Sequence, residues 1–145
     1  MGNVYSLFVV FGLAILTSCA PSPEKLLNIE GTWNGSEYRY EPEPSSTAPS
    51  VNSLASNVDR HRKSTLVFRA DSSCTYIIED GAYFLEAIYT LEKSQLELRL
   101  AESNVSMEFE LKEVNDSSLH LIQHHVYDKG RTSISGVTHL YFTKE

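Results

Sequence analysis

From Ser64 to the C-terminus, apolar and polar residues alternate with a period close to two. The clearest segment is Gln95–Glu102, in which leucines at every second position are separated by charged residues. The segment Val105–Val114 repeats the pattern, and its predicted inward residues are Val105, Met107, Phe109 and Leu111. Alternation of this kind is typical of antiparallel strands that pack one face on a core and expose the other.

Eight strands are predicted, seven from this pattern and one from an aromatic-rich segment nearer the N-terminus. They are Ile29–Tyr40, Ser64–Ala70, Cys74–Asp80, Tyr83–Glu92, Gln95–Glu102, Val105–Val114, Ser117–Tyr127 and Val137–Thr143. Two connections are long, 41–63 and 128–136. The first is predicted as a loop because it is dense in Pro, Ser and Ala, with a short helical turn around Ser53–Asp59 left open. The predicted fold is all-β, an eight-stranded antiparallel up-and-down barrel, with a two-sheet sandwich as the competing architecture.

The N-terminus carries a separate signal. Leu7–Leu16 is an uninterrupted apolar or small run, long enough for a secretory leader but short of the roughly 18–20 residues of a membrane span. It ends in Leu16-Thr17-Ser18-Cys19, which resembles the lipobox of bacterial lipoproteins. The resemblance implies a signal peptide over 1–18, lipidation of Cys19 with diacylglycerol and further acylation, and a lipidated tether over 19–28 ahead of a domain at 29–145.

Two other interpretations of this terminus stay open. The first six residues match the N-myristoylation pattern M-G-x-x-x-[ST], and plain secretion would use the same apolar run. A lipid anchor would place the protein on a membrane of the bacterial cell envelope. Ala20 after Cys19 supplies no acidic retention signal, which favours the outer membrane over the inner one.

Charge and motif content narrow the function classes. The chain of 145 residues has a net charge of −7, and a nucleic-acid binder would need a basic face. Two cysteines are too few for a disulfide scaffold or a cysteine-built metal site, and no sequence motif points to a metal or cofactor. There is no nucleophile elbow and no glycine-rich phosphate loop, so we expect a protein that is not an enzyme.

Several short motifs, in order along the chain, resemble those of lipocalins and small lipocalin-like lipoproteins. Gly31-Thr32-Trp33 is similar to the G-x-W start of lipocalins. The others are Ser64–Phe68 with Asp71 and Tyr76, Tyr89-Thr90-Leu91 with Gln95–Leu98, Asn115–Leu121, and Tyr141–Lys144. The resemblance implies a barrel whose floor is formed by Gly31 and Trp33, and a ligand that is small and apolar or amphipathic.

One strand offers candidate ligand contacts. If Leu119 and Leu121 face the core, the same register directs Gln123, His125 and Tyr127 inward, so that the interior becomes polar at that end. His124 then points outward, so it cannot share a metal ion with His125 on a regular strand. We therefore treat Gln123, His125 and Tyr127 as candidate ligand-binding residues, with a strand end fraying into solvent as the alternative.

The predicted function is binding of a small apolar or amphipathic ligand by a membrane-anchored lipoprotein with a lipocalin-like barrel. The alternative is a filled barrel that docks an envelope protein as an inhibitor, sensor or assembly factor. The two differ in one property, because a binder needs an unfilled interior with convergent polar groups.

Overall fold

A computed structural model describes residues 27–44, 46, 51–129 and 132–145. The predicted signal peptide, Cys19 and most of the predicted tether lie outside these residues. Among the described residues, no helix has both the length and the apolar character needed to span a membrane.

Eight antiparallel strands form a closed barrel in which each strand pairs with its neighbours in sequence and β8 returns to β1. The strands are β1 Gly31–Pro42, β2 Thr65–Phe68, β3 Ser73–Ile78, β4 Tyr83–Glu92, β5 Gln95–Leu100, β6 Ser106–Val114, β7 Ser118–Lys129 and β8 Thr132–Lys144. The predicted up-and-down barrel is therefore confirmed, and the sandwich is not the fold. Closure gives every strand a partner on both sides along at least part of its length.

The alternating residues form the core. Leu96 and Leu98 of β5 and Phe109 and Leu111 of β6 are almost completely buried, as the alternation predicted. Burying one such side chain contributes about 1.5–3 kcal/mol. Val105 was expected inside but is 54% exposed, because it precedes β6 and lies in the turn that leads into it.

The connection 41–63 differs from the predicted loop, because it contains a helix, α1, over Val51–Arg62. The less exposed residues of α1 recur at helical spacing, and they are Leu54, Asn57, Val58 and His61. α1 packs mainly against β1, beyond the short segment in which β1 pairs with β2. It therefore covers one end of the barrel, which we call the α1 end.

The prediction of a long connection over 128–136 is also wrong. β7 runs to Lys129 and β8 begins at Thr132, and the two strands pair in register down to Lys129 opposite Thr132. Mutual pairing carries both strands past the point where the apolar alternation stops, since ladder hydrogen bonds need no particular side chain.

The opposite end of the barrel is closed by the side chain of Trp33, and we call it the Trp33 end. The indole is fully buried, and its Nε1 donates a hydrogen bond to the carbonyl of Ile29 at 2.8 Å. The Nζ atom of Lys144 lies 5.1 Å from the ring centroid. Gly31 has a φ of +130°, and a Cβ there would lie 2.7 Å from Cε of Lys144. Gly31 and Trp33 therefore both pack against Lys144 at the Trp33 end of the barrel.

Candidate functional site

The barrel interior is filled at the Trp33 end and contains a cavity of about 200 Å³ at the α1 end. An apolar cavity of about 150 Å³ can hold a benzene molecule, so this one has room for a small organic ligand. Its apolar wall is formed by Met107 and Phe109 of β6 and Leu140 of β8. Three residues of α1 complete it above, namely Asn57, Arg60 and His61.

The strands contribute the polar part of the cavity lining. Gln123 and His125 of β7 lie in the cavity wall with Thr138 of β8, and Thr138 is paired with Gln123 in the strand register. The Nε2 atom of His125 lies 2.9 Å from the Oγ1 atom of Thr138. Burial lowers the pKa of His125, and the nearby His124 acts in the same direction. His125 is therefore a neutral hydrogen-bonding group at neutral pH.

The sequence-predicted ligand contacts are thus placed as follows. Gln123 and His125 meet in one cavity wall, at the end of the strand where the interior becomes polar. Tyr127 belongs to β7, but its side chain lies outside what the structure describes. His124 is exposed on the outer face, with Nε2 3.7 Å from a carboxylate oxygen of Glu110.

Two tyrosines that the sequence analysis did not select also line the cavity. Tyr76 of β3 projects inward, and burial raises the pKa of its hydroxyl. Tyr38 of β1 accepts a long hydrogen bond of 3.4 Å from Nδ2 of Asn57. Tyr76 could have been found from its strand register, whereas Tyr38 could not, because a bulge near Gly35 changes the register of β1.

His61 is the most unusual residue of the site. It is 4% exposed, and its Nε2 donates a hydrogen bond to the carbonyl of Tyr141 at 2.8 Å. Its Nδ1 is buried and makes no hydrogen bond with any residue that the structure describes. Burial lowers the pKa of the imidazole, whereas the carbonyls of Tyr141 and Glu37 act in the opposite direction. Sequence analysis did not select His61, because it stands in a basic cluster, Arg60–Lys63, that is typical of a solvated surface.

Charged groups lie at the edge of the cavity. The Nε atom of Arg60 is 3.3 Å from a carboxylate oxygen of Glu79 in the turn between β3 and β4. Both side chains are about half exposed, so this ion pair is solvated and contributes little to stability. No Asp or Glu is among the described residues that line the cavity.

The remaining candidates carry no site. Cys74 is a free, buried thiol, and burial raises its pKa to about 12, which makes it a core residue and not a nucleophile. On the outer face, Nε2 of His120 lies 3.1 Å from Nδ1 of His139, a cross-strand contact that sequence spacing did not indicate. Within the described ranges, no three His, Cys, Asp or Glu side chains are positioned to hold a metal ion.

Comparison with known proteins gives one structural likeness to report. No protein-family model matches the chain, and no curated protein matches it either. A DUF4847 family protein from Bacteroides vulgatus ATCC 8482, solved by crystallography, is similar to it at 14% identity with a TM-score of 0.45. The match covers 80% of this chain and 93% of that protein. Function is therefore inferred from the residues of this chain alone.

Proposed function

We propose that the chain is a lipid-anchored protein of the bacterial cell envelope whose lipocalin-like barrel binds a small amphipathic molecule beneath α1. One observation carries the binding part of the proposal: the unfilled α1 end joins an apolar wall to several convergent polar side chains. Cavities of this construction are the usual form of small-molecule sites, although this one is below the size that holds drug-like ligands. The ligand is accordingly compact.

We propose binding and not catalysis. The histidines in the cavity wall contact a threonine hydroxyl and a backbone carbonyl. Neither partner is an acid that would make the imidazole a strong general base. The described cavity lining also contains no thiol and no carboxylate that could act as a nucleophile.

Native mass spectrometry of protein purified from its own host tests the binding proposal. The wild-type protein should retain a small molecule, and Gln123→Phe, which fills the cavity, should lose it. Ile88→Phe is the matched control, because Ile88 is 61% exposed on β4 and the added ring remains in solvent. Wild-type protein that carries no adduct, or adducts of equal occupancy in Gln123→Phe, would contradict cavity binding.

The lipid anchor is proposed from the Leu16–Cys19 motif and is tested separately. Host cells fed with labelled palmitate should label the wild-type protein, and Cys19→Ala should abolish the label. The second cysteine supplies the control, because Cys74 is buried in the barrel and Cys74→Ala should leave labelling intact. Label that persists in Cys19→Ala would rule out lipidation at this residue.

A second candidate function is docking to an envelope protein. It is favoured by three large apolar side chains of β4, Tyr83, Phe84 and Ile88, each about 60% exposed. Phe84 and Ile88 lie on the same outward face, and exposed apolar surface of this kind often marks an interaction site. If docking is the function, the double variant Phe84→Lys and Ile88→Lys should lose a partner cross-linked in host cells, whereas Gln123→Leu should keep it.

A further inference from the structure

Two residues of the cavity lining, Gln123 and His61, have side-chain polar atoms that no described residue pairs with, and only Gln123 offers both a donor and an acceptor. Thr138 is in contact with His125, and Tyr38 with Asn57, through the hydrogen bonds described above. The side-chain amide of Gln123 forms no hydrogen bond with any described residue. A primary amide offers a carbonyl acceptor and two N–H donors. Gln123 therefore presents an unused donor and an unused acceptor to whatever enters the cavity.

Apolar side chains on both neighbouring strands face the cavity beside Gln123. It lies on β7, between β6, which carries Met107 and Phe109, and β8, which carries Leu140. Arg60 is the one charged residue in the described lining, and its guanidinium is already paired with Glu79 at the edge. A charged ligand group inside would lose its hydration and meet no unpaired opposite charge in the described lining, and this is costly.

We propose that the cavity selects a compact, uncharged molecule with an apolar body and one amide-type edge, which pairs with the side chain of Gln123. This inference rests on the proposed binding function. An amide edge carries an N–H donor beside a C=O acceptor, so it can satisfy both halves of the Gln123 amide at once. A hydrocarbon of the same shape would exclude water from the site and leave the donor and the acceptor of the Gln123 amide unpaired. The cost of these unpaired groups weakens hydrocarbon binding by about tenfold or more.

The chain offers a site-specific reporter for this selection. It contains two methionines, Met1 and Met107, and Met107 lines the cavity. The full chain can be labelled with ¹³C-methyl methionine, placed in lipid nanodiscs and titrated with four probes that share one ring. The probes are benzamide, toluene, benzoate and benzylammonium.

Benzamide should shift the Met107 resonance saturably and bind at least about tenfold more tightly than the other three probes. Gln123→Leu should reduce benzamide affinity by about tenfold and raise toluene affinity, because leucine leaves no amide unpaired beside the hydrocarbon, and the toluene binding also shows that the cavity is intact. Gln95→Leu is the matched control, because Gln95 is exposed at the start of β5 and its loss should alter neither probe.

The possible failures are distinct. If toluene, benzoate or benzylammonium binds as tightly as benzamide, or if Gln123→Leu leaves benzamide affinity unchanged, the selection by Gln123 is wrong while cavity binding stands. If no probe shifts Met107, both this inference and binding in the cavity are overturned.

Discussion

Gly35 is the residue at which the C-terminal end of α1 meets β1. Its N–H donates to the carbonyl of Ser64 at 2.8 Å. A Cβ built on Gly35 would lie 1.9 Å from the carbonyl oxygen of His61 and 3.0 Å from Oγ of Ser64. The close contact is with backbone, which cannot rotate away, and the His61 carbonyl is itself held as the acceptor from N–H and Oγ of Ser64.

We therefore expect Gly35→Ala to lower the free energy of unfolding by about 2 kcal/mol or more, as overpacking does in a closely packed region. Urea unfolding followed by the fluorescence of Trp33, the single tryptophan, measures the change. Glu108→Ala, at an exposed position of β6, is the control and should shift the midpoint little. A Gly35→Ala midpoint equal to that of the wild type would mean that α1 does not lie against β1 in solution.

At the scale of single residues, sequence predicted the interior position of Gln123 and missed that of Tyr38. The register of Gln123 follows from Leu119 and Leu121 on an uninterrupted strand. On β1, the extra residue between Gly35 and Glu37 is a bulge, so the inward parity set by Trp33 is inverted beyond it. An alternation pattern does not show where such an extra residue falls. The inward position of Tyr38 could not be predicted for that reason.

α1 is the element that gives the cavity its upper wall, and breaking it should affect that end of the barrel alone. Ala55 is exposed in the middle of α1. A proline at this position removes a helical hydrogen bond and clashes with the preceding turn, which costs about 3 kcal/mol locally. Ala55→Gln, which places a good helix former at the same site, is the control.

In hydrogen exchange, we expect Ala55→Pro to remove the protection of amides in α1 and to leave the amides of β5 and β6 protected. The strands should hold because they pair with each other and not with α1. Simultaneous loss of protection in β5 and β6 would show that α1 and the barrel unfold as one unit.

Sequence predicted the strands better than the helix for a physical reason. Strands such as β5 and β6 carry their apolar residues at every second position, and burial of one face follows directly. The inward face of α1 consists of Leu54 and Val58 with two polar residues, Asn57 and His61, so its helical period is hard to recognise among the Ser and Asn residues of the helix. Tertiary contact with β1 stabilises this helix more than its own sequence does.

The stability of the whole molecule should depend on pH because one histidine is buried and two others are partly buried. Burial is the main cause that lowers the pKa of His61, His120 and His125. The unfolded chain then binds more protons than the folded one below about pH 6.5, so the free energy of unfolding falls as the pH drops through that value. Each histidine adds a slope of at most about 1.4 kcal/mol per pH unit.

Urea titrations between about pH 7.5 and pH 5.5 measure this slope. This pH range lies above the one in which the carboxyl groups titrate. His61→Gln should flatten the slope, because one of the three imidazoles with a lowered pKa no longer titrates. Ala55→Gln, at an exposed position of α1 that carries no titratable group, is the control and should keep the wild-type slope. A stability that stays constant over this range would show that the three histidines contribute nothing to it.

If the protein is anchored at Cys19 as proposed, the two ends of the barrel also determine the side from which a ligand reaches the cavity. The chain enters β1 beside Trp33, and α1 lies at the far end. With an anchor at Cys19, the nine residues of Ala20–Asn28 could extend about 30 Å at most, so the Trp33 end would be held near the bilayer. The mouth of the cavity would then open toward the aqueous compartment, and cargo would be exchanged with the water phase or with a passing carrier instead of being drawn from the lipid leaflet beneath.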